Sequence, residues 1–559
     1  MKTYTADFET TTDKNDLRVW AWGLCEIDDF NNFIYGNNIE SFFKWCKDNA
    51  PVTLYFHNLK FDGEFILSYL LSHNYKYSER LRRGYFNTII AGTGQFYKIS
   101  FSFSRDKTVT IYDSLKKLPF SVEKIAESFN LPILKGEIDY TKYRSNDHIL
   151  TNEEISYLRN DVEIVARALK EQFNEGLTHM TIGSDSLHIF KDMIGEKTFE
   201  RMFPVLPVAI DNNIRKAYRG GYTYVNKIFQ NKDVEQGQVY DVNSMYPSVM
   251  YDELLPYGIP QFFEGEYIYD DLYPLAIFHI RADLSLKKDH IPIIQCKNNF
   301  YFNATEYIEN TNGMLSMYVT NIDFEMIKSQ YDILDIEYES GFKFKAIRGV
   351  FKSYIDKYME MKKNNTGAKR QLAKLLLNNL YGKFATNPKM LKKVPYLDED
   401  GIVNYKTEAC KEKDSIYTAM GIFITSYARS RIQKTAQSIY DRFCYCDTDS
   451  IHIIGLEKPD IEIDDKELGK WALENTFKKA RFLRAKTYVE VLEDNSLNVK
   501  CAGLPEKLKK LVTYDNFKYG LQLEGKLLPK RYKGGVILEE HDFTIKWFEE
   551  RYNTLCFKE

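Results

Sequence analysis

Residues 4–9, Tyr-Thr-Ala-Asp-Phe-Glu, alternate with the two-residue period of a strand, which puts Asp7 and Glu9 on one face before the polar turn 10–13. A second strand, 54–58, runs into a turn over Leu59-Lys60-Phe61-Asp62-Gly63 and presents Asn58 and Asp62 near a strand end. Between 152 and 170 the period becomes helical through Ile155, Leu158, Val162 and Val165, and Tyr157 and Asp161, four apart, share a face. Gly183-Ser184-Asp185-Ser186 reads as polar punctuation after this helix and predicts a domain boundary. Residues 238–241 read as a strand, and 242–247 turn into a helix with Pro247 near its first position.

Residues 351–363 and 368–384 form a helical hairpin broken by Asn364-Asn365-Thr366-Gly367. The stretch 252–350 is far longer than an ordinary connection and must fold; 275–280 and 332–338 look like strands. A second insert, 386–417, carries a predicted hairpin, 394–397 and 402–405 around Asp398-Glu399-Asp400-Gly401. Residues 425–429 lie on a helix. Finally 439–440 with 443–445, and 451–454, read as two strands that place Asp447-Thr448-Asp449 at a hairpin tip.

At 559 residues the chain exceeds one core, and about three to five domains or subdomains are expected. Its 44% hydrophobic and 28% charged residues are those of a globular protein, with an excess of aromatics in 41 Tyr and 37 Phe. The net charge of -3 means that nucleic-acid binding requires local basic surfaces. One such surface is 500–533, where nine Lys and Arg face three acids and Tyr514, Phe517, Tyr519 and Tyr532 are interleaved. No apolar run approaches a membrane span and no signal segment opens the chain, so the expected location is the cytoplasm. The eight cysteines are scattered, without a Cys-x-x-Cys pair, and read as reduced core residues.

Two i, i+2 acid pairs now stand out, Asp7/Glu9 and Asp447/Asp449. Carboxylates forced together repel unless a cation neutralises them, and hard oxygen donors suit Mg²⁺; Asp-Thr-Asp at a turn is equally compatible with Asp bonding its own backbone. Arg370, Lys374, Asn378 and Tyr381 form one helical stripe, within about 80° at 100° per residue, which is either a solvated face or a phosphate-binding one. Gly220-Gly221 beside Tyr218 and Arg219 permits close backbone approach, or is a plain turn.

Asp7-x-Glu9, Asn58-x-x-x-Asp62 and Tyr157-x-x-x-Asp161 resemble the three exonuclease motifs of proofreading DNA polymerases. The resemblance implies Asp7, Glu9, Asp62 and Asp161 as ligands of two metals and Tyr157 as the residue orienting the attacking water. It assigns Thr10, His57, Asn58, Phe61 and Phe65 to the single-stranded primer end. Ser114, Leu115 and Lys135 resemble segments that touch single-stranded DNA or, for Lys135, support the exonuclease. Asp241-Val242-Asn243-Ser244-Met245-Tyr246-Pro247 is similar to motif A of family B polymerases, with Met245 for Leu. It implies Asp241 and the Val242 carbonyl as metal ligands and Tyr246 as the ring excluding a 2′-hydroxyl. Lys374 to Gly382 resembles motif B, with Asn379 for Ser; Lys362 and Lys374 would bind the triphosphate and Tyr381 stack on the nascent pair. Tyr218, Gly220 and Gly221 match the motif linking the two activities, Thr425 and Arg429 the Thr-x-x-Ala-Arg motif, and Lys486 and Tyr488 the Lys-x-Tyr motif, all implied DNA contacts. Asp449 would bridge both metals with Asp241, and Asp447 would support them.

With two long insertions, the chain resembles the protein-primed family B DNA polymerases of small tailed bacteriophages. The expectation is an α+β multidomain protein. The resemblance implies a ribonuclease-H-like 3′–5′ exonuclease domain over 1–183 and a right-hand polymerase over 184–559: palm about 184–252 and 418–500, first insertion about 253–349, fingers about 350–385, second insertion about 386–417 and thumb about 501–559. It implies two Mg²⁺ per site, with Mn²⁺ as alternative, and as partners template and primer DNA, dNTPs and a terminal protein. The molecule would be a monomer or a heterodimer with that protein, in an infected bacterial host. A reverse transcriptase or RNA polymerase would lack the exonuclease set and Tyr246; a non-catalytic relative would have lost acids, and none of the seven is missing.

Overall fold

The computed structural model describes residues 2–140, 142–145, 148–295, 307–410 and 413–546. The tail 547–559 lies outside the described residues, as do Cys296 and Cys556. The fold is a mixed α/β, multidomain one, built on two large sheets and several small ones.

In the first sheet, eight strands run in the order Phe33–Gly36, Val19–Glu26, Lys2–Thr10, Val52–Phe56, Lys107–Asp113, Phe96–Ser104, Tyr85–Ile90 and Lys76–Tyr77. Lys2–Thr10, Val52–Phe56 and Lys107–Asp113 are mutually parallel, so their carboxyl ends share one edge, where sheet enzymes hold ligands. At that edge the expected turn over 59–63 is instead the start of a helix, Leu59–Ser72. Its opening N–H groups are satisfied from afar, since the Asp113 carboxylate accepts from the backbone of Asn58 and Leu59 at 3.1 and 3.3 Å. The helix that the spacing predicted over 152–170 is Asn152–Asn174, and it begins with a capping box between Thr151 and Glu154.

Residues 183–186, read as polar punctuation, are likewise helical. They form the first turn of the helix Ile182–Ile194, whose N-cap Thr181 accepts from the Ser184 N–H, and the buried Asp185 takes the Lys117 ammonium at 2.6 Å.

The second sheet has seven antiparallel strands in the order Leu497–Cys501, Thr487–Leu492, Trp471–Arg484, Asp233–Val242, Ser450–Ile454, Phe443–Asp447 and Thr223–Val225. The buried helix Thr418–Ser438 belongs to the same hydrophobic core. Residues 439 and 440, expected in a strand, are the cap and turn that end this helix. Helices Lys352–Asn364 and Gly367–Phe384 form the predicted hairpin.

The first insert is a four-stranded sheet, Leu254–Glu264, Tyr331–Arg348, Leu275–Leu286 and Leu315–Thr320, carrying the helix Asn321–Gln330. The second is the hairpin Leu391–Leu397 with Val403–Ala409. It leans on the first sheet's domain: the Gly92 N–H donates to the Leu391 carbonyl at 2.7 Å, and Tyr405 donates to Glu64 at 2.8 Å. Near the C-terminus, Gln522–Tyr532 and Gly535–Thr544 form a long hairpin whose tip also reaches the Leu59–Ser72 helix. Val403 and Val536 thereby complete the N-terminal hydrophobic core. Tyr514 and Phe517, interleaved in the predicted basic surface, are buried in a small core with Leu483, Val489 and Leu504. Five of the described cysteines are buried and Cys410 half-buried, and all six are free thiols.

Candidate active sites

Two separate acid clusters emerge, one on each large sheet. In the first, Asp7 and Glu9 stand on the strand Lys2–Thr10, Asp62 in the first turn of Leu59–Ser72, and Asp161 in the middle of Asn152–Asn174. Glu9, Asp62 and Asp161 are all buried. Burial, then the Asp161 charge, pushes the Asp7 carboxyl up to about 7. Burial, then Asp7, raises Glu9 and Asp62 well above the usual carboxylate range.

Lys135 answers them, 3.0 Å from Asp161 Oδ2, while Asp161 Oδ1 is buried and finds no hydrogen-bond partner among the described residues. Burial opposes the Lys135 charge, but Asp161, Asp7 and Glu9 hold its ammonium above the ordinary value. The Tyr157 hydroxyl meets that of Tyr140 at 2.8 Å, and burial, then Asp161, keeps Tyr157 protonated. As the side chains stand, no three acids, histidines or cysteines among the described residues close on one point tightly enough to grip an ion. The orphaned Asp161 oxygen, the mutual repulsion and the all-oxygen donor set nevertheless fit a hard divalent cation.

Around this cluster Asn58 is exposed with φ 66°, and Phe61 is half-buried. Thr10 ends the same strand as Glu9. His57 bridges Ser114 Oγ at 3.0 Å and the Phe120 carbonyl at 2.7 Å, and Ser114 itself donates to the Phe56 carbonyl. Leu115 follows, its N–H held by Asp113. Phe65 is sealed under the hairpin tip: a Cβ on Gly535 would fall 2.4 Å from its ring. Ser114 and Phe65 thus sit in the wall rather than on the surface.

In the second cluster Asp241 lies opposite Ser450 across the sheet, beside Asp449, and the Val242 N–H donates to the Asp449 carbonyl at 2.8 Å. Burial, then Asp449, pushes Asp241 up to about 7; burial, then Asp447, pushes Asp449 up to about 6. Glu474, which motif spacing missed, is a third acid acting on both. It is the extra residue of a bulge between Leu473 and Asn475 opposite Val239 and Tyr240, and no local pattern announces a bulge.

Asp447 turns elsewhere. It accepts from Lys486 Nζ at 2.9 and 3.0 Å, from Thr223 at 3.0 Å and from Tyr445 at 3.3 Å. The tip residue Thr448 has φ 63°, and its N–H donates to the Tyr222 carbonyl at 2.8 Å. A Cβ on Gly221 would meet the Thr448 side chain at 2.9 Å, so the glycine is what lets this segment brace the tip. Gly220 has open space around it, and Tyr218 is half-buried nearby.

Opposite, the rings of Tyr246 and Tyr381 stack at 4.1 Å. Lys374 is exposed on the predicted stripe, and Lys362 donates to Ser244 at 3.3 Å. Burial, then Lys374, lowers the Lys362 pKa. Asn379, in place of the expected Ser, bonds back to the Leu375 carbonyl of its own helix.

Arg429 is buried and forked on Asp323 of the first insert, with Nη1 on the Arg219 and Gly220 carbonyls. Thr425 bonds within its helix, and Tyr488 packs beside Tyr445. Arg429 thus holds the segment that carries Gly220, Tyr488 packs on Tyr445, and Thr425 stays within its own helix.

The family model for DNA polymerase type B, organellar and viral, matches residues 46–154 and 138–468. The DNA polymerases of Bacillus phages Nf and phi29 are each 46% identical over 98% of this chain, covering 100% and 99% of their own lengths. That of Streptococcus phage Cp-1 is 34% identical over 97% of this chain and 98% of its own. A solved structure of phi29 DNA polymerase with primer-template DNA and incoming nucleotide superposes with a TM-score of 0.93 at 46% identity, over 98% of this chain and all of that one. Such enzymes depend on divalent metal. The chain belongs to the organellar and viral type B DNA polymerases, and is a DNA polymerase that carries an exonuclease domain.

Proposed function

We propose that the chain is a protein-primed replicative polymerase whose two acid clusters are independent centres, each for two Mg²⁺ ions: nucleotidyl transfer at Asp241 and Asp449, 3′–5′ hydrolysis at Asp7, Glu9, Asp62 and Asp161. The observation that carries this is the pairing of like charges in both places, with burial and a neighbouring carboxylate raising Asp7, Asp241 and Asp449. The solved relatives support the substrate class, since phi29 DNA polymerase was solved with primer-template DNA, with single-stranded DNA and with incoming nucleotide.

Bound metal would supply Lewis-acid stabilisation of the attacking and leaving oxygens. The chain's own residues do the rest. Lys362 and Lys374 hold the triphosphate, Tyr381 takes the face of the new pair, and the Tyr246 ring fills the space a 2′-hydroxyl would need. Lys486, fixed on Asp447, approaches the primer terminus. In the other centre Tyr157 orients water and Lys135 neutralises Asp161, while Thr10, His57, Asn58, Phe61 and Leu115 line the path of the single strand, with Ser114 and Phe65 forming its wall. Tyr218 with Gly220 and Gly221 joins the two centres, and Arg429 and Tyr488 act through the groups they hold, while Thr425 keeps its helix in place beside them.

The division at about residue 183, the palm, fingers and thumb, and the two inserts follow the boundaries set out above. The first insert would dock a terminal protein and the second close around the template. The enzyme would act, as monomer or heterodimer with that protein, in the cytoplasm of an infected bacterium; among the described residues no helix is long and apolar enough to cross a membrane. Mixing the protein with Mg²⁺, labelled dNTP and a candidate terminal protein tests the priming claim. Label covalently attached to that protein supports it; extension of DNA primers alone refutes it.

A further inference from the structure

One layer beneath the second acid cluster, on the same face of the sheet, lies a buried ionisable pair that none of the motifs assigns. His452 faces Tyr445 across one strand pairing and Val239 across the other, two positions in from Ser450, which faces Asp447 and Asp241. Its Nδ1 lies 2.7 Å from Glu490 Oε1, and the other Glu490 oxygen accepts from Asn498 at 2.8 Å. The glutamate is 0% exposed and the histidine 1%.

A carboxylate so deep keeps its place only through such partners, and a pair of this kind is weak evidence for stability, because apolar residues of similar volume usually serve as well. What it does supply is orientation. Tied at Nδ1, the imidazole cannot swing, and it stands edge-on to three rings, Tyr445 at 5.1 Å, Tyr488 at 5.0 Å and Phe482 at 5.5 Å. Tyr445 carries that orientation upward. Its hydroxyl donates to Asp447 at 3.3 Å and accepts from the Lys486 N–H at 3.0 Å. Lys486, held at φ 56°, in turn places its ammonium on Asp447.

We propose that Glu490 and His452 are positioning residues for nucleotide transfer: through Tyr445 and Tyr488 they fix Lys486 and Asp447, and so the geometry at the primer terminus. The inference rests on the reading of Asp241 and Asp449 as the synthetic centre.

The full-length protein tests it through four measurements on each variant: kcat and KM for dNTP in primer extension, degradation of a single-stranded oligonucleotide, and melting temperature. His452→Phe keeps an aromatic ring but removes the bond to Glu490; it should lower kcat at least about tenfold, with KM within about threefold and degradation unchanged. The double variant His452→Phe with Glu490→Leu leaves no unpaired charge and should recover the melting temperature without recovering kcat. His452→Asn, whose amide can still donate to Glu490, should recover part of kcat. Wild-type kcat in His452→Phe, recovery of kcat together with melting temperature in the double variant, or equal loss of synthesis and degradation would each overturn the positioning role. If instead Asp449→Ala retains synthesis, it is the underlying reading that fails.

Discussion

The two acid clusters solve one problem, like charges held together, in different surroundings. At the first sheet Glu9, Asp62 and Asp161 are buried and Asp7 half-buried beside Lys135, and Asp161 keeps an oxygen with no hydrogen-bond partner among the described residues. At the second sheet Asp241 and Asp449 lie beside each other with the exposed Glu474 near, and the remaining acid, Asp447, is already satisfied by Lys486, Thr223 and Tyr445. The comparison teaches that carboxylates alike in sequence are not alike in task. On the proposed reading Asp241 and Asp449, without an ion pair of their own, would hold metal, whereas Asp447 would be a fixture.

Substitutions sharpen that contrast. Asp161→Ala should lower degradation of single-stranded DNA by about 10³-fold or more while primer extension is kept. Asp447→Asn, which preserves shape and some hydrogen bonds but releases Lys486, should cost synthesis only about 10- to 100-fold; a loss as complete as that of Asp241→Asn would erase the distinction. Tyr246→Ala should raise ribonucleotide insertion relative to deoxynucleotide by about 100-fold, measured as the ratio of kcat/KM values. Gly221→Ala, forcing a methyl against Thr448, should slow extension about tenfold without touching degradation.

The smallest effect is one of stability. In the metal-free protein Asp7 and Asp241 titrate at about 7, above the roughly 3.9 of a free Asp, so the folded state binds protons that the unfolded state has lost. Their contribution is present at low pH and lost as pH rises through about 7. Melting temperature without metal should therefore fall across that window and recover on adding Mg²⁺, with a shallower fall in Asp7→Asn. A melting temperature that Mg²⁺ leaves unmoved would count against both metal centres.

Much of this was legible because strand and helix periods are local. Asp7 and Glu9 share a face by a period of two, Tyr157 and Asp161 by a period near four, and the stripe from Arg370 to Tyr381 emerged as drawn. What failed to show depends on partners distant in sequence. The helix at Leu59 begins where it does because Asp113 caps it, and Phe65 is covered by Gly535 from the other end of the chain. Arg429 is spent on Asp323, 106 residues earlier, a contact no helical motif reveals. Glu474 reaches the site only because the strand bulges there.

The most direct test of two independent centres uses one preparation each of Asp7→Ala and Asp449→Ala, assayed side by side with Mg²⁺ for primer extension and for single-strand degradation. Asp7→Ala should extend and not degrade, and Asp449→Ala should degrade and not extend. Loss of both activities in either variant would contradict the separation.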